Sequence, residues 1–166
     1  MRLDKIPFSE PRYELTACIV QQLASEDVAP ISSALAVMEP WRTLGYRADG
    51  LARYLLRSDP ALSRYLVRVS GEIGGVVCVR YPWLLGPYLE LLALFDPHRG
   101  KGLGFEIVSW LEKEARPASQ NLWALVSAFN TKGRAFYQRL GFAELAPLTD
   151  LVKAGYNEIL LRKRLD

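Results

Sequence analysis

One histidine and two cysteines among 166 residues leave little room for several kinds of chemistry. With His98 as the sole imidazole, a multi-histidine metal site is excluded, and a serine–histidine–acid triad would have to use that residue. Cys18 and Cys78 are too few for a disulfide scaffold. Long apolar runs are missing as well. Leu89–Phe95 and Leu122–Phe129 have the length of strands, far short of the roughly 18–20 residues that a membrane-spanning helix needs. Met1–Ser9 carries Arg2, Asp4 and Lys5 and no apolar stretch of a secretory leader, so a reducing cytoplasm is expected, with no membrane partner. Charge of one sign is scarce too: 21 basic and 18 acidic side chains leave +3, and Arg162–Arg164 is the one dense basic run. That balance argues against a nucleic-acid partner, which calls for a clustered basic stripe.

Half of the residues are hydrophobic and 23% are charged. This is the balance of a folded globular protein, and the length suits one domain spanning residues 1–166. Alternating Tyr13, Leu15, Ala17 and Ile19 predict a first strand over 12–22. Ser25-Glu26-Asp27 resembles a helix start, with a hydroxyl cap followed by acids in the first turn, and Pro40 ends that helix. Asp49 opens a second helical pattern that stops before Asp59-Pro60. Arg64–Val69, Gly74–Tyr81 and Tyr88–Phe95 then read as an antiparallel meander. A helix follows with Leu103, Ile107, Val108, Leu111 and Ala115 at helical spacing. A strand at Leu122–Ala128, a helix from Asn130 to the stop at Gly141, and strands at Phe142–Leu148 and Tyr156–Arg164 complete the chain. The expected fold class is therefore α/β, with a mixed, mostly antiparallel central sheet and helices on both faces.

The segment Arg99-Gly100-Lys101-Gly102-Leu103-Gly104 joins an apolar strand to a helix. Glycines at such a junction let several backbone N–H groups converge on one point, and the helix N-terminus adds partial positive charge. Binding of a phosphate or pyrophosphate fits this chemistry. A Walker loop does not fit, because Phe95 stands where its first glycine belongs and Gly102 follows Lys101. The dinucleotide fingerprint does not fit either, because the spacing is Gly-x-Gly-x-Gly after an antiparallel meander.

Arg99-x-x-Gly102-x-Gly104 does resemble the Arg/Gln-x-x-Gly-x-Gly/Ala signature of the GNAT superfamily of acyl-CoA N-acyltransferases. Asn130, followed by a helix ending Phe136-Tyr137-x-x-x-Gly141-Phe142, is similar to that family's second signature, in the right order and at a spacing that admits one helix and one strand. The resemblance covers Leu62 to Leu165 well and the first 60 residues only in their strand–helix–helix order. It implies a gap between the strands Tyr88–Phe95 and Leu122–Ala128, filled by the pantetheine arm of acetyl-CoA as an extra strand. By this resemblance, Leu94 would hold the pantetheine and thioester through its backbone. Arg99, Gly100, Lys101, Gly102, Leu103 and Gly104 would hold the pyrophosphate, and Asn130 and Tyr137 would form the opposite wall. The implied activity is transfer of an acetyl group to a primary amine by direct attack in a ternary complex. The partners are acetyl-CoA and a small-molecule or protein amine, with no metal, in a monomer or homodimer. A catalytically weak CoA-binding regulatory module is the alternative.

The resemblance implies that Tyr137 protonates the departing sulfur. For the base, Glu90 is the candidate: it is an acid in an apolar strand, and alternation would place it on one face with Leu92 and Leu94. The competing reading of Glu90 is an ion pair with Arg80 on the neighbouring strand. His98 lies in the phosphate turn, away from the thioester end, and Cys18 and Cys78 read as small buried hydrophobes. The resemblance implies an acceptor surface gathering Trp41, Tyr46, Tyr81, Trp83 and Tyr88, an aromatic lining suited to an apolar or cationic amine, with core or hairpin packing an equal reading of Trp41 and Trp83.

Overall fold

A strand buried on both faces needs helices on both sides, and the apolar run from Val76 to Val79 makes that demand at the centre of the chain. The computed structural model describes residues 5–166 and meets it with an eight-stranded sheet between two helical layers. In chain order the elements are β1 (Arg12–Glu14), β2 (Ile19–Gln22), α1 (Val28–Ala36), α2 (Ala48–Leu56), β3 (Leu62–Val69), β4 (Glu72–Trp83) and β5 (Gly86–Leu94). Then come α3 (Leu103–Ala115), β6 (Asn121–Ser127), α4 (Thr131–Arg139), β7 (Ala143–Leu148) and β8 (Glu158–Arg164). The sheet order is β1-β2-β3-β4-β5-β6-β8-β7, and every neighbouring pair is antiparallel except β5 with β6.

Each face has its own core. On one, Leu103, Ile107, Val108 and Leu111 of α3 pack on Val67, Val77, Leu122 and Ala124, with Phe136, Tyr137 and Phe142 at the margin or within it. On the other, Ile31 and Leu35 of α1 and Leu51 and Leu55 of α2 cover Leu66, Val76, Cys78, Leu91 and Ala93. The second layer reaches only as far as β5. The same face of β6 and β8 carries no helix of that cluster.

Two departures from the sequence expectations have simple causes. The strand expected over 12–22 is two strands, because Leu15 N–H donates to the Cys18 carbonyl and closes a hairpin that pairs Glu14 with Ile19. Glu106 of α3 accepts the Ala17 N–H at 3.0 Å and pins that turn, which contains neither glycine nor proline to announce it. Ser25-Glu26-Asp27 forms a short 3₁₀ turn with no side-chain cap, and Asp27 lies 3.8 Å from Arg68 instead.

The feature that positions the site is a bulge in β5. Cys78 pairs with Leu91 and Val79 with Leu89, so Glu90 is an extra residue on the bulged strand. Alternation is broken there. Leu89 faces the α3 core, while Leu91 and Ala93 face α1 and α2. Glu90 thus shares its side with Leu91 and not, as strict alternation predicts, with Leu92 and Leu94. Beyond the bulge, β4 must run close to β5. A Cβ added at Gly75 would collide with the Ala93 carbonyl oxygen. Gly75→Ala is therefore expected to lower stability by about 1–3 kcal/mol. Urea unfolding, read as a fall in midpoint at unchanged slope, checks this.

Candidate functional site

β5 and β6 pair for only two positions, Tyr88 with Trp123 and Leu89 with Ala124, and then part. From there β5 bonds only to β4 and β6 only to β8. The Phe95 N–H donates to the Gly74 carbonyl, so in an alternating antiparallel ladder the N–H and C=O groups of Leu92 and Leu94 point the other way, into the opening. Backbone groups facing an open wedge need a partner, and an extended chain laid between the strands supplies one.

The mouth of the wedge is the turn between β5 and α3. Gly100 (φ +71°) and Gly102 (φ +82°) both take the left-handed conformation that side chains resist. Gly102 stands at the N-cap of α3, where no side chain accepts the first helical N–H groups. Gly104 serves a different purpose: an added Cβ would lie 2.9 Å from the Phe136 ring, so it lets α4 approach α3. A groove of about 410 Å³ is lined here by Leu94, Gly100, Gly102, Gly104, Phe136 and Arg139, among others. Arg139 brings positive charge that sequence reasoning overlooked. Its signal was a basic residue two places beyond Tyr137. Arg99 is turned differently from expectation, its Nε donating to the Leu94 carbonyl at 2.8 Å, and neither Arg99 nor Lys101 lines the groove.

The far wall is α4. Asn130 caps this helix by accepting the Gly133 N–H at 2.9 Å, which leaves its amide NH₂ as the group free to meet a ligand. Tyr137 is half-buried, edge-on to Phe136 at 5.1 Å and to Phe142 at 5.2 Å. Its hydroxyl has no hydrogen-bond partner among the described residues. Burial pushes the phenol's pKa well up, so Tyr137 stays protonated and a donor throughout the physiological range.

The other expected residues divide between the two faces. Arg80 grips Glu90 through Nε at 2.6 Å and also reaches Asp59 at 3.0 Å. Tyr81 packs into the α3 core and Trp41 into the α1–α2 core. Trp83 and Tyr88 remain together at 4.8 Å, and Trp83 meets Trp123 at 5.6 Å. His98 is buried beside Glu72, with its Nε2 at 3.4 Å from the carboxylate. Burial raises the thiols of Cys18, to about 11, and Cys78, to about 12, which suits neither for nucleophilic duty.

On the face without helices, Trp123, Leu125 and Ser127 of β6 lie beside Glu158 of β8. Loop 37–47 and loop 149–157 border this patch and are clasped where Lys153 Nζ donates to the Thr43 carbonyl at 2.9 Å. Tyr46, from the first loop, is partly exposed there. Burial, and then the negative charges of Glu158 and Glu90, raise its phenol. The same carboxylates act on Tyr88, where burial is again the leading cause. This side of the sheet is thus aromatic, with Glu158 and the Arg80-paired Glu90 close by.

A wedge for an extended arm, with an amide-rich glycine turn at its mouth, is what an acyl-CoA needs, and the comparisons agree. Residues 23–142 match the model of the acetyltransferase (GNAT) family, and the chain belongs to that family. The match begins well before Leu62, so α1 and α2 share in it. The protein is an acetyltransferase enzyme that draws its acetyl group from acetyl-CoA. The aminoalkylphosphonate N-acetyltransferase of Salmonella typhimurium is 27% identical over 139 residues, covering 78% of this chain and 88% of the relative. An acetyltransferase from Thermus thermophilus superposes with a TM-score of 0.71 at 20% identity, covering 92% of this chain and 100% of that one. Spermidine N-acetyltransferase from Vibrio cholerae, solved in complex with CoA and spermine, gives 0.70 at 15% identity, with 90% and 96% covered. At these identities the two structures show a shared fold. Among the described residues no helix is long and apolar enough to cross a membrane.

Gly102 provides the cleaner test of the turn, since nothing lies within 4 Å of an added Cβ there, whereas substitution of Gly104 disturbs Phe136. Gly102→Val must take a positive φ at a cost of roughly 1–2 kcal/mol, and its side chain stands where phosphate would meet the backbone. Calorimetry should show acetyl-CoA affinity at least tenfold weaker, with the circular dichroism spectrum unchanged.

Proposed function

We propose that the chain, acting as one acetyltransferase domain over residues 1–166, acetylates a primary amine by direct attack within a ternary complex. The observation that carries this reading is the wedge between β5 and β6, open to α4 on one face and to the aromatic patch on the other. The thioester and the amine can then meet from opposite sides of the sheet with no covalent enzyme intermediate. Acetyl-CoA supplies the activated acetyl group. Leu92 and Leu94 orient the arm through backbone groups, and the N–H groups of the Arg99–Gly104 turn, with Arg139 beside them, neutralise phosphate charge.

Tyr137 is the donor in this mechanism. When the C–S bond breaks, the sulfur takes up negative charge, and a phenol with no protein partner for its hydroxyl is placed to donate to it. Its raised pKa favours hydrogen-bond donation over early proton loss. Glu90 is the other candidate from the sequence. Its carboxylate is committed to Arg80, and through Arg80 to Asp59 on the α2–β3 loop, which suits it to holding the bulge open. The acceptor side favours a cationic amine, since Tyr46 and Tyr88 offer aromatic rings and Glu158 offers a carboxylate that no cation pairs with among the described residues. The buried free cysteines suit a reducing cytoplasm, and the enzyme would act as a monomer or homodimer.

A panel of benzylamine, spermidine, 2-aminoethylphosphonate and lysine-bearing peptides, followed by release of free thiol from acetyl-CoA, tests the activity. Acetyl-CoA binding without turnover on any of them would favour the regulatory alternative. With the best acceptor, Tyr137→Phe should keep acetyl-CoA affinity and lose about 10²–10⁴-fold in kcat. Because Tyr137 stays protonated, the parent should show no alkaline fall in rate that this substitution removes. Unchanged kcat would take Tyr137 out of the chemistry.

A further inference from the structure

With Glu90 tied to Arg80, the mechanism lacks a group to take the proton from the ammonium form of the acceptor. Glu158 is a carboxylate with no such commitment. It is 5% exposed, and among the described residues no lysine, arginine or histidine pairs with it. Ser127 Oγ donates to its Oε1 at 2.8 Å, and no donor among the described residues reaches Oε2. A carboxylate buried beside one hydroxyl and no cation is costly, and folded proteins tolerate that chiefly where the group has work to do.

Its position follows from register. Ile159 and Leu161 belong to the α3 core and Lys163 reaches Glu112 on α3, so Glu158, Leu160 and Arg162 present to the opposite face. On β6, Leu122, Ala124 and Val126 belong to the α3 core, and Ser127, paired with Glu158, shares the open face. Counting on in parallel from Tyr88 and Trp123, with Glu90 left out as the extra residue of the bulge, puts Ser127 level with Ala93 across the wedge, next to Leu92 and Leu94. Glu158 therefore stands on the acceptor side at the height of the arm that the wedge would hold, while Tyr137 stands on the other face.

The groups around it are consistent with this role. Glu158 lies close enough to act on the phenols of Tyr88 on β5 and Tyr46 on loop 37–47, Ser127 of β6 bonds it, and Glu90, on the same side of the sheet, is held by Arg80. Its partner on β7 is Leu148, which carries no charge. Arg162, two residues on, is held over the Trp123 ring at 5.8 Å. The geometry points to Glu158 as the general base of the reaction, with Ser127 as the positioning residue that orients it, and to a cationic amine as the acceptor it receives between Tyr46 and Tyr88. This assignment rests on the acyl-transfer reading above. In the step, the ammonium N–H bond breaks and its proton passes to Oε2 of Glu158. The freed nitrogen lone pair forms the bond to the thioester carbon, the C–S bond breaks as the sulfur takes the phenolic proton of Tyr137, and the second N–H proton of the acylated nitrogen leaves to water, which returns a proton to the Tyr137 phenolate. Burial raises the carboxyl above the ordinary glutamate value and the Ser127 hydrogen bond opposes that rise, so the group is a stronger base than a surface glutamate.

The test uses Glu158→Gln, Ser127→Ala and Glu90→Gln with whichever amine of the panel the parent acetylates fastest. Glu158→Gln should bind acetyl-CoA like the parent and lose about 10²–10³-fold in kcat/KM at pH 7. The loss should shrink as pH rises and more amine arrives neutral. Ser127→Ala should shift the acidic limb of the kcat/KM profile to higher pH, since it removes the bond that favours the carboxylate. Glu90→Gln should leave that limb in place. A readout independent of turnover is the ¹³C NMR titration of the Glu158 carboxyl in the free protein. It should lie above the usual glutamate range in the parent and higher still in Ser127→Ala. A Glu158→Gln profile matching the parent over pH 6–9, or a carboxyl titrating as an ordinary surface glutamate in both proteins, would overturn the assignment. A parent that binds acetyl-CoA and acetylates no amine overturns the acyl-transfer reading instead, and the NMR titration separates the two failures.

Discussion

The site depends on one parallel strand pair that fails after two positions. β5 and β6 meet at Tyr88 and Leu89 and then diverge, which leaves inner-edge backbone groups without a strand partner, although the Leu94 carbonyl accepts from Arg99 Nε. That cost is tolerable because the two halves of the sheet are otherwise closed. β5 is zipped to β4 down to Phe95, and β6 is zipped to β8 over its whole length. The bulge at Glu90 sits beside the point of divergence and adds twist to β5 there. Arg80, reaching both Glu90 and Asp59, fastens the bulged strand to its neighbour and to the loop after α2.

The uneven covering of the two faces gives the wedge its chemical direction. On one side, α3 and α4 bring the glycine turn, Arg139 and Tyr137, a set suited to phosphate and to a departing sulfur. On the other, α1 and α2 stop at β5, and two loops held together by Lys153 and Thr43 frame an aromatic patch with a buried carboxylate. A nucleophile and an electrophile that approach from opposite sides of one sheet need no moving domain to meet.

Much of this was legible in the sequence, and the misses share a cause. The glycine turn and the Asn130–Phe142 segment are local, with spacing dictated by a strand–turn–helix and a capped helix, so they could be read without tertiary contacts. The assignments of β5, α3, β6 and α4 around them held for the same reason. Glu90 was placed on the wrong face because alternation cannot reveal a bulge set by pairing with β4. The hairpin at Leu15–Cys18 was missed because Glu106, 89 residues beyond the Ala17 N–H that it accepts, fixes it in place of a glycine. Tyr81 was assigned to the acceptor surface by residue type and packs against the α3 core, while Trp41, equally readable as core, packs against the α1–α2 core. Glu158 offered no local signal, since its setting is made by Ser127 and by a loop border that only the assembled sheet provides.

Hydrogen exchange of individual amides, with and without acetyl-CoA, tests the wedge most directly. Leu92 and Leu94 N–H groups face the opening, while the Phe95 N–H is already bonded to Gly74. Acetyl-CoA should slow exchange at Leu92 or Leu94 and at the amides of the Arg99–Gly104 turn, and leave Phe95 little changed. Binding of acetyl-CoA with Leu92 and Leu94 exchanging as fast as in the free protein would mean that the arm lies elsewhere, and that the wedge between β5 and β6 is not the acyl-CoA site.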